Sequence, residues 1–298
     1  MSVSKNLDDL RKFLTVEQLP AMPHSALSVL QLDNDLAKVD INDLVCPIEA
    51  DPGLAAQVLK FMNSSYFGFQ SAISNVRHGI ALVGIRVVKN FVLWKAVFSL
   101  IPKSRLGGFE VTHLWQDSLR RAMFSRFLLL ELRKGDAELA FAAALLQDMA
   151  IPLLLKQSPQ DYGTILAKAN ENSTVRFSTL ETEKFGWNHA DAAGVLGKNW
   201  KLPDPLTNLM ANHLVLDEYV AKFDEFPEQT VVSLSAFLPS TTRKEWAEND
   251  VFLKNYSAII GSKSFPLEHL FAKVDKEFDQ YAAIIQITKP KQRLVDYL

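Results

Sequence analysis

The chain has 298 residues, 48% of them apolar and 22% charged, with 32 basic against 34 acidic side chains and a net charge of −2. That is the make-up of a globular protein of one large helical unit or two ordinary domains, and it argues against a general nucleic-acid surface. One cysteine, Cys46, rules out an internal disulfide and a paired-cysteine metal site. Set beside Pro47 in an apolar stretch, it reads as a buried, inert thiol. The best basic pairs, Lys103/Arg105 and Arg120/Arg121, read as solvated surface.

The opening "MSVSKNLDDLRKFLTV" carries acids and no apolar core segment, so no signal peptide is expected and a cytoplasmic setting is. "HSALSVLQLDND" has a helical apolar spacing behind Pro23. "DINDLVCPIEADPGLAAQVLKFMNSSYFG" predicts two short helices. The second is capped by Asp51 with Pro52 in its first turn, and Leu54, Val58, Phe61 and Met62 share its inner face. "SNVRHGIALVGIRVVKNFVLWKAVF" predicts two more, with the turn inside Leu82-Val83-Gly84-Ile85. A helix-turn-helix that reads DNA is the weaker reading, because the second helix offers few groups to base edges. The apolar stretch from Ile80 to Ile101 carries Arg86, Lys89 and Lys95, which argues against a membrane span.

"LGGF" at 106–109 is the candidate linker. It divides an N-terminal helical subdomain, 1–105, from a second helical subdomain, 106–298. Beyond it, Trp115, Leu119, Ala122, Met123, Phe127 and Leu130 form a helical stripe. Asp136 caps a helix running to about Met149, and Leu206, Leu209, Met210 and His213 share a face. Leu267, Leu270, Phe271, Val274, Phe278 and Tyr281 form a last regular stripe. No alternating strand pattern or fixed-period repeat is present. The fold class expected is all-α and multi-helical.

Phosphate-loop, dinucleotide, nucleophile-elbow and HExxH motifs are absent. "GVLGK" at 194–198 is too short for a phosphate loop, and its glycines suit close helix packing. Of the six histidines, His189 and His213 fall in helical segments after Asp148. Packed side by side, these helices could bring two imidazoles and a carboxylate together as ligands for a divalent metal.

"LPAMPHSALSVLQL", "IEADPGLAAQVLKFMNSSYFGF" and "ISNVRHGIALVGIRVVKNFVL" resemble the HDOD family, the HD-related output domains of bacterial signalling proteins. "LWQDSLRRA", "AFAAALLQDMAI", "FGWNHADAAGVLGKNWKLP" and "MANH" continue the resemblance over about 15–215. It implies an N-terminal helical subdomain packed on a bundle similar to the HD metal phosphohydrolases. Carried onto this chain, the first metal histidine falls at Asp117 and the His-Asp pair at Gln147-Asp148. A further histidine is kept as His189, a His-His pair falls at Asn212-His213, and the late Asp falls near Ala236. The resemblance therefore implies a vestigial metal site, with no cofactor expected. A degraded one-ion site using Asp148, His189, His213 and Asp117 is the alternative. In the vestigial reading these groups hydrogen-bond to one another near 3 Å; a gap of 4–5 Å would favour metal.

The function implied is a non-catalytic regulatory or scaffold protein that contacts signalling proteins, without nucleic-acid or membrane binding. A divergent phosphohydrolase acting on a nucleotide or cyclic dinucleotide is the alternative, as is a nucleotide sensor without turnover. Asn63, Ser64, Tyr66, Arg77 and His78 are the candidate partner or ligand surface; packed aromatics at a helix end are the competing reading.

Overall fold

Asp40, Asp51, Asn75, Asp136 and Asn188 each begin a helix by accepting backbone N–H bonds that the first turn leaves unpaired. In a computed structural model, residues 7–14, 21–32, 39–100, 110–172, 175–261, 265–285 and 287–298 are described. They are all-α, with no strand among the described residues. The first half holds α1 (Leu7–Phe13), α2 (His24–Leu30), α3 (Ile41–Glu49), α4 (Pro52–Met62), α5 (Val76–Val83) and α6 (Ile85–Leu100). The second begins with α7 (Val111–Leu132), α8 (Ala137–Leu146), α9 (Ala150–Gln157), α10 (Pro159–Glu171), α11 (Phe177–Phe185) and α12 (His189–Asn199). It continues with α13 (Asp204–Ala211), α14 (Asp217–Val220), α15 (Pro227–Ser235), α16 (Asn249–Ile260) and α17 (Leu267–Ile285).

Asp51 and Pro52 start α4 as the sequence predicts, and Leu54, Val58, Phe61 and Met62 are buried. Gly84, at φ 99°, separates α5 from α6, a conformation that glycine adopts without a Cβ penalty. α6 is a core helix: Val88, Phe91, Val92, Leu93, Trp94 and Val97 are buried. A helix buried in this way cannot enter a DNA groove. It packs on α8 and carries the first half onto the second.

α7 is the central helix, packed against α8, α15 and α17. Three neighbours bury more than one face, so Leu114, Leu119, Phe124, Phe127 and Leu128 are all inside. Leu130, expected on the stripe, is instead 50% exposed, because it falls on the side α7 leaves open. The expected helix from Asp136 to Met149 breaks after Leu146, and Asp148 sits in the turn before α9. Among the described residues, the one run long and apolar enough to cross a membrane is Ala137–Gln157. Of its most apolar window 89% is buried inside the fold, so it is a core element here.

The apolar core runs without a break from α2–α6 into α7–α17. Phe61 and Tyr66 both meet Tyr281 of α17, with ring centroids at 5.6 and 5.5 Å. α1 packs on α12, where Phe13 lies 5.2 Å from Trp187 and 6.0 Å from Phe185. The "LGGF" join and Lys103/Arg105 lie outside the described residues.

Further expectations about single residues fail, among them Arg121, whose side chain is 14% exposed and pairs with Asp148 instead of lying on the solvated surface. Cys46 is exposed, because the inner stripe of α3 is Leu44, Val45 and Ile48 and Cys46 points off it. Arg120 is only 1% exposed, with its guanidinium donating to the Gln292 carbonyl. Charge alone put it on the surface; its place on the central helix under the C-terminal segment buries it.

Candidate functional site

α12 starts on an Asn188 capping box, which fixes His189 as its first helical residue. Gly194 and Gly197 let α13 approach: an added Cβ would lie 2.8 Å from Ala211 Cβ and 2.8 Å from Thr207 Oγ1. The glycines thus serve helix packing, as the sequence reading proposed. That approach places His213, just past α13, beside His189, with the two Nε2 atoms 3.3 Å apart. Asp148, in the turn between α8 and α9, brings Oδ1 to 3.5 Å from His189 Nε2 and 3.4 Å from His213 Nε2. The three side chains are buried and converge as a possible ligand set.

The proton positions follow from the partners. His213 Nδ1 lies 2.7 Å from the Met210 carbonyl, which can only accept, so Nδ1 carries the proton. Burial, with His189 beside it, holds the His213 imidazole well below its ordinary pKa and therefore neutral. His189 Nδ1 lies 2.5 Å from Glu181 Oε2 and donates to that carboxylate. Both Nε2 atoms then face each other and Asp148 Oδ1. The other Asp148 oxygen accepts from Arg121, one turn beyond Asp117 on α7.

The histidine Nδ1 atoms face outward to Glu181 and Met210, and the two Nε2 atoms lie 3.3 Å apart, between the contacts near 3 Å expected of a vestigial network and the 4–5 Å gap expected of a metal site. A tetrahedral ion with bonds of about 2.0–2.1 Å has ligand–ligand edges of about 3.3–3.4 Å. The donor set therefore fits one divalent ion held by Asp148, His189 and His213.

The other carried-over positions do not join them. Asp117 is buried and committed, accepting from the Ser240 hydroxyl at 2.7 Å and the Thr241 N–H at 2.8 Å. Gln147 turns toward α15, where its Oε1 accepts from Ser235 at 3.4 Å. Asn212 folds back to donate to the Asn208 carbonyl at 2.9 Å. The Ala236 carbonyl accepts from Arg176 at 3.4 Å. A second ion has no ligand set among the described residues.

The centre opens into a cavity of about 1230 Å³. Arg121, Arg176 and Arg243 reach its wall, and Lys244 and Lys291 stand at its lining. Arg176 stacks 4.0 Å above Phe237 and pairs with Glu248 at 2.9 Å.

Sequence reasoning missed Arg121, Arg176 and Glu181. Glu181 did leave a signal: it stands between Phe177 and Phe185 at four-residue spacing, a carboxylate on an apolar stripe. Of the candidate surface, Asn63 ties the end of α4 to Ile73, donating to its carbonyl at 2.7 Å and accepting from its N–H at 2.6 Å. Ser64 is half-buried, and the Tyr66 hydroxyl accepts from Arg126 at 3.2 Å. Arg77 and His78 are exposed, and Arg77 donates to Asn42.

The HDOD domain profile matches residues 19–215. A Treponema pallidum protein is 24% identical over 204 residues, 66% of this chain and 38% of that relative's length. The crystal structure of a Geobacter sulfurreducens HDOD domain protein superposes with a TM-score of 0.72 at 19% identity, covering 96% of this chain and 99% of that one. A Shewanella amazonensis protein, provisionally named a phosphohydrolase, gives 0.68 at 16% identity over 96% and 98%. A Marinobacter aquaeolei protein, provisionally named for signal transduction, gives 0.66 at 18% over 96% and 67%. At these identities the structural likeness speaks for the fold, and the sequence match over two thirds of the chain speaks for descent: the chain belongs to the HDOD family.

Proposed function

We propose that this chain is a regulatory module of signal transduction that binds an anionic ligand in its cavity without turning it over. It passes occupancy on through contacts with a signalling protein. The observation that carries this reading is the cavity of about 1230 Å³, with arginines at its wall and the Asp148/His189/His213 centre at one end. Guanidinium and ammonium groups at a cavity wall favour phosphate-bearing ligands, and here they stand beside the carboxylates of Glu110, Asp117, Asp148, Glu245 and Glu248. The absence of turnover rests on the missing second ligand set: Asp117, Gln147 and Asn212 are engaged elsewhere. The provisional name of the Marinobacter neighbour supports a signalling role.

Calorimetric titration of metal-free protein with pyrophosphate and with a nucleoside monophosphate tests the reading. Saturable binding is expected, weakened when Lys244→Ala and Lys291→Ala are combined. Phosphate release stays at background in the presence of Mn²⁺. No binding of either probe, or turnover with Mn²⁺, overturns it.

One observation favours a second reading, a one-ion phosphohydrolase. Asp148 Oδ1, His189 Nε2 and His213 Nε2 lie 3.3, 3.4 and 3.5 Å apart, a spacing at which they would hold one divalent ion. Bound there by Asp148, His189 and His213, a divalent ion would supply an acidified water. The metal content of protein purified without chelator, with Asp148→Ala as control, followed by a nucleotide hydrolysis screen, separates the two readings.

A further inference from the structure

Glu181 is fully buried, and it bonds to a phenol, a backbone N–H and an imidazole. Oε1 accepts from the Tyr162 hydroxyl at 3.0 Å. Oε2 accepts from the His189 backbone N–H at 3.0 Å and from His189 Nδ1 at 2.5 Å. A buried carboxylate is costly unless its hydrogen bonds repay it. Two carboxylates, Glu181 and Asp148, flank the imidazole pair, and one guanidinium, Arg121, is paired with Asp148. Three ligand-type atoms, Asp148 Oδ1, His189 Nε2 and His213 Nε2, face one another at 3.3, 3.4 and 3.5 Å.

We infer that Glu181 is the positioning residue of a single divalent-cation site formed by Asp148, His189 and His213. Its role is to choose the tautomer. If His189 carried its proton on Nε2, that N–H would bond to His213 Nε2 at 3.3 Å, or to Asp148 Oδ1 at 3.5 Å, and close the centre. By taking the Nδ1 proton, Glu181 keeps Nε2 free as a ligand atom, and the bond to the His189 main chain fixes the ring's origin. Partners of this kind orient a ligating imidazole and raise its basicity. Two imidazole nitrogens and one carboxylate oxygen select borderline ions such as Zn²⁺ or Co²⁺ over Mg²⁺ or Ca²⁺. The inference is independent of which anion the cavity receives.

Titration with Co²⁺, followed by visible absorption, tests it on the full chain. Wild type should take up one Co²⁺ with the intense bands of a four-coordinate ion, and Asp148→Ala should take up none. Glu181→Gln keeps the shape and loses the charge; it should bind about 10–100-fold more weakly, with unchanged far-UV circular dichroism. Nitrogen NMR of the metal-free variant should show the His189 proton moving to Nε2, a change that a merely structural role would not produce. Tyr162→Phe, which removes one bond to Glu181 and leaves the carboxylate, should weaken binding in the same direction by less. Wild type that takes up no Co²⁺, or Glu181→Gln that binds as tightly as wild type, overturns the inference. If Glu181→Gln does not fold, an unchanged affinity in Tyr162→Phe does so. The pyrophosphate titration uses metal-free protein, so loss of the cation site leaves the cavity reading standing.

Discussion

Asp51 shows how much one side chain can fix. Its Oδ1 accepts from the Leu54 N–H at 3.0 Å, and its Oδ2 accepts from the Ser25 hydroxyl at 3.0 Å, tying α4 to α2. Asp51→Ala should cost about 1 kcal/mol, read from urea unfolding at pH 7. The Leu54 N–H, then the Ser25 hydroxyl, hold this carboxyl below its ordinary value of 3.8. A carboxyl depressed in the folded state binds fewer protons there than in the unfolded chain. Its contribution is present above the unfolded value and lost as the pH falls through the folded one. The gap between wild type and Asp51→Ala should therefore stay open at neutral pH and close as the pH drops below about 3.8.

Between elements, glycines with different surroundings give opposite expectations. Gly194 faces α13, where an added Cβ would lie 2.8 Å from Ala211 Cβ. Gly194→Val should destabilise by about 1–3 kcal/mol and separate His189 from His213. Gly163 lies inside α10 with nothing within 4 Å of an added Cβ. Gly163→Ala should stabilise by about 0.5–1 kcal/mol, since glycine is a poor interior helix residue. Thermal unfolding of both variants checks the pair. Many of the helices were legible in the sequence, because caps and apolar spacing are local, but α1, α14, α15 and α16 were not among them. The break at Gln147-Asp148 was not: apart from those two residues the run from Leu139 to Leu155 is apolar, so the periodicity of its flanks carries no sign of a turn.

Across the whole molecule, a polar seam joins the two halves. Arg126 pairs with Glu138 at 2.6 Å, Asn90 donates to Glu138 Oε2 at 2.9 Å, and Arg126 also donates to Tyr66. The residues come from α6, α7, α8 and the loop after α4, so one network holds the first half against the second. Removing one partner of a buried pair leaves the other uncompensated. The pair keeps 22% and 19% side-chain exposure, so Glu138→Ala should cost about 2 kcal/mol, less than a fully buried pair. Amide exchange should then quicken in α4–α6 more than in α12 and α13; equal loss in both places would count against the seam.

The sequence by itself determined the helical class, the caps at Asp51 and Asp136, the turn at Gly84, and the ordered blocks that mark the family. Each depends on residues a few positions apart, where helix geometry makes neighbours of i, i+3 and i+4. The family blocks named Asp148, His189 and His213, and only the tertiary structure brings them together and leaves Asp117 apart. His189 and His213 are 24 residues apart, and Arg121 lies 27 from Asp148. No local period links such residues; only the packing of α7, α11, α12 and α13 does. Burial follows the same rule, which is why Arg120 lies inside and Cys46 outside, against what each residue type suggests alone. A carboxylate on an apolar stripe, Glu181, has meaning only once His189 stands beside it, because its effect is to place a proton on a neighbour that folding supplies.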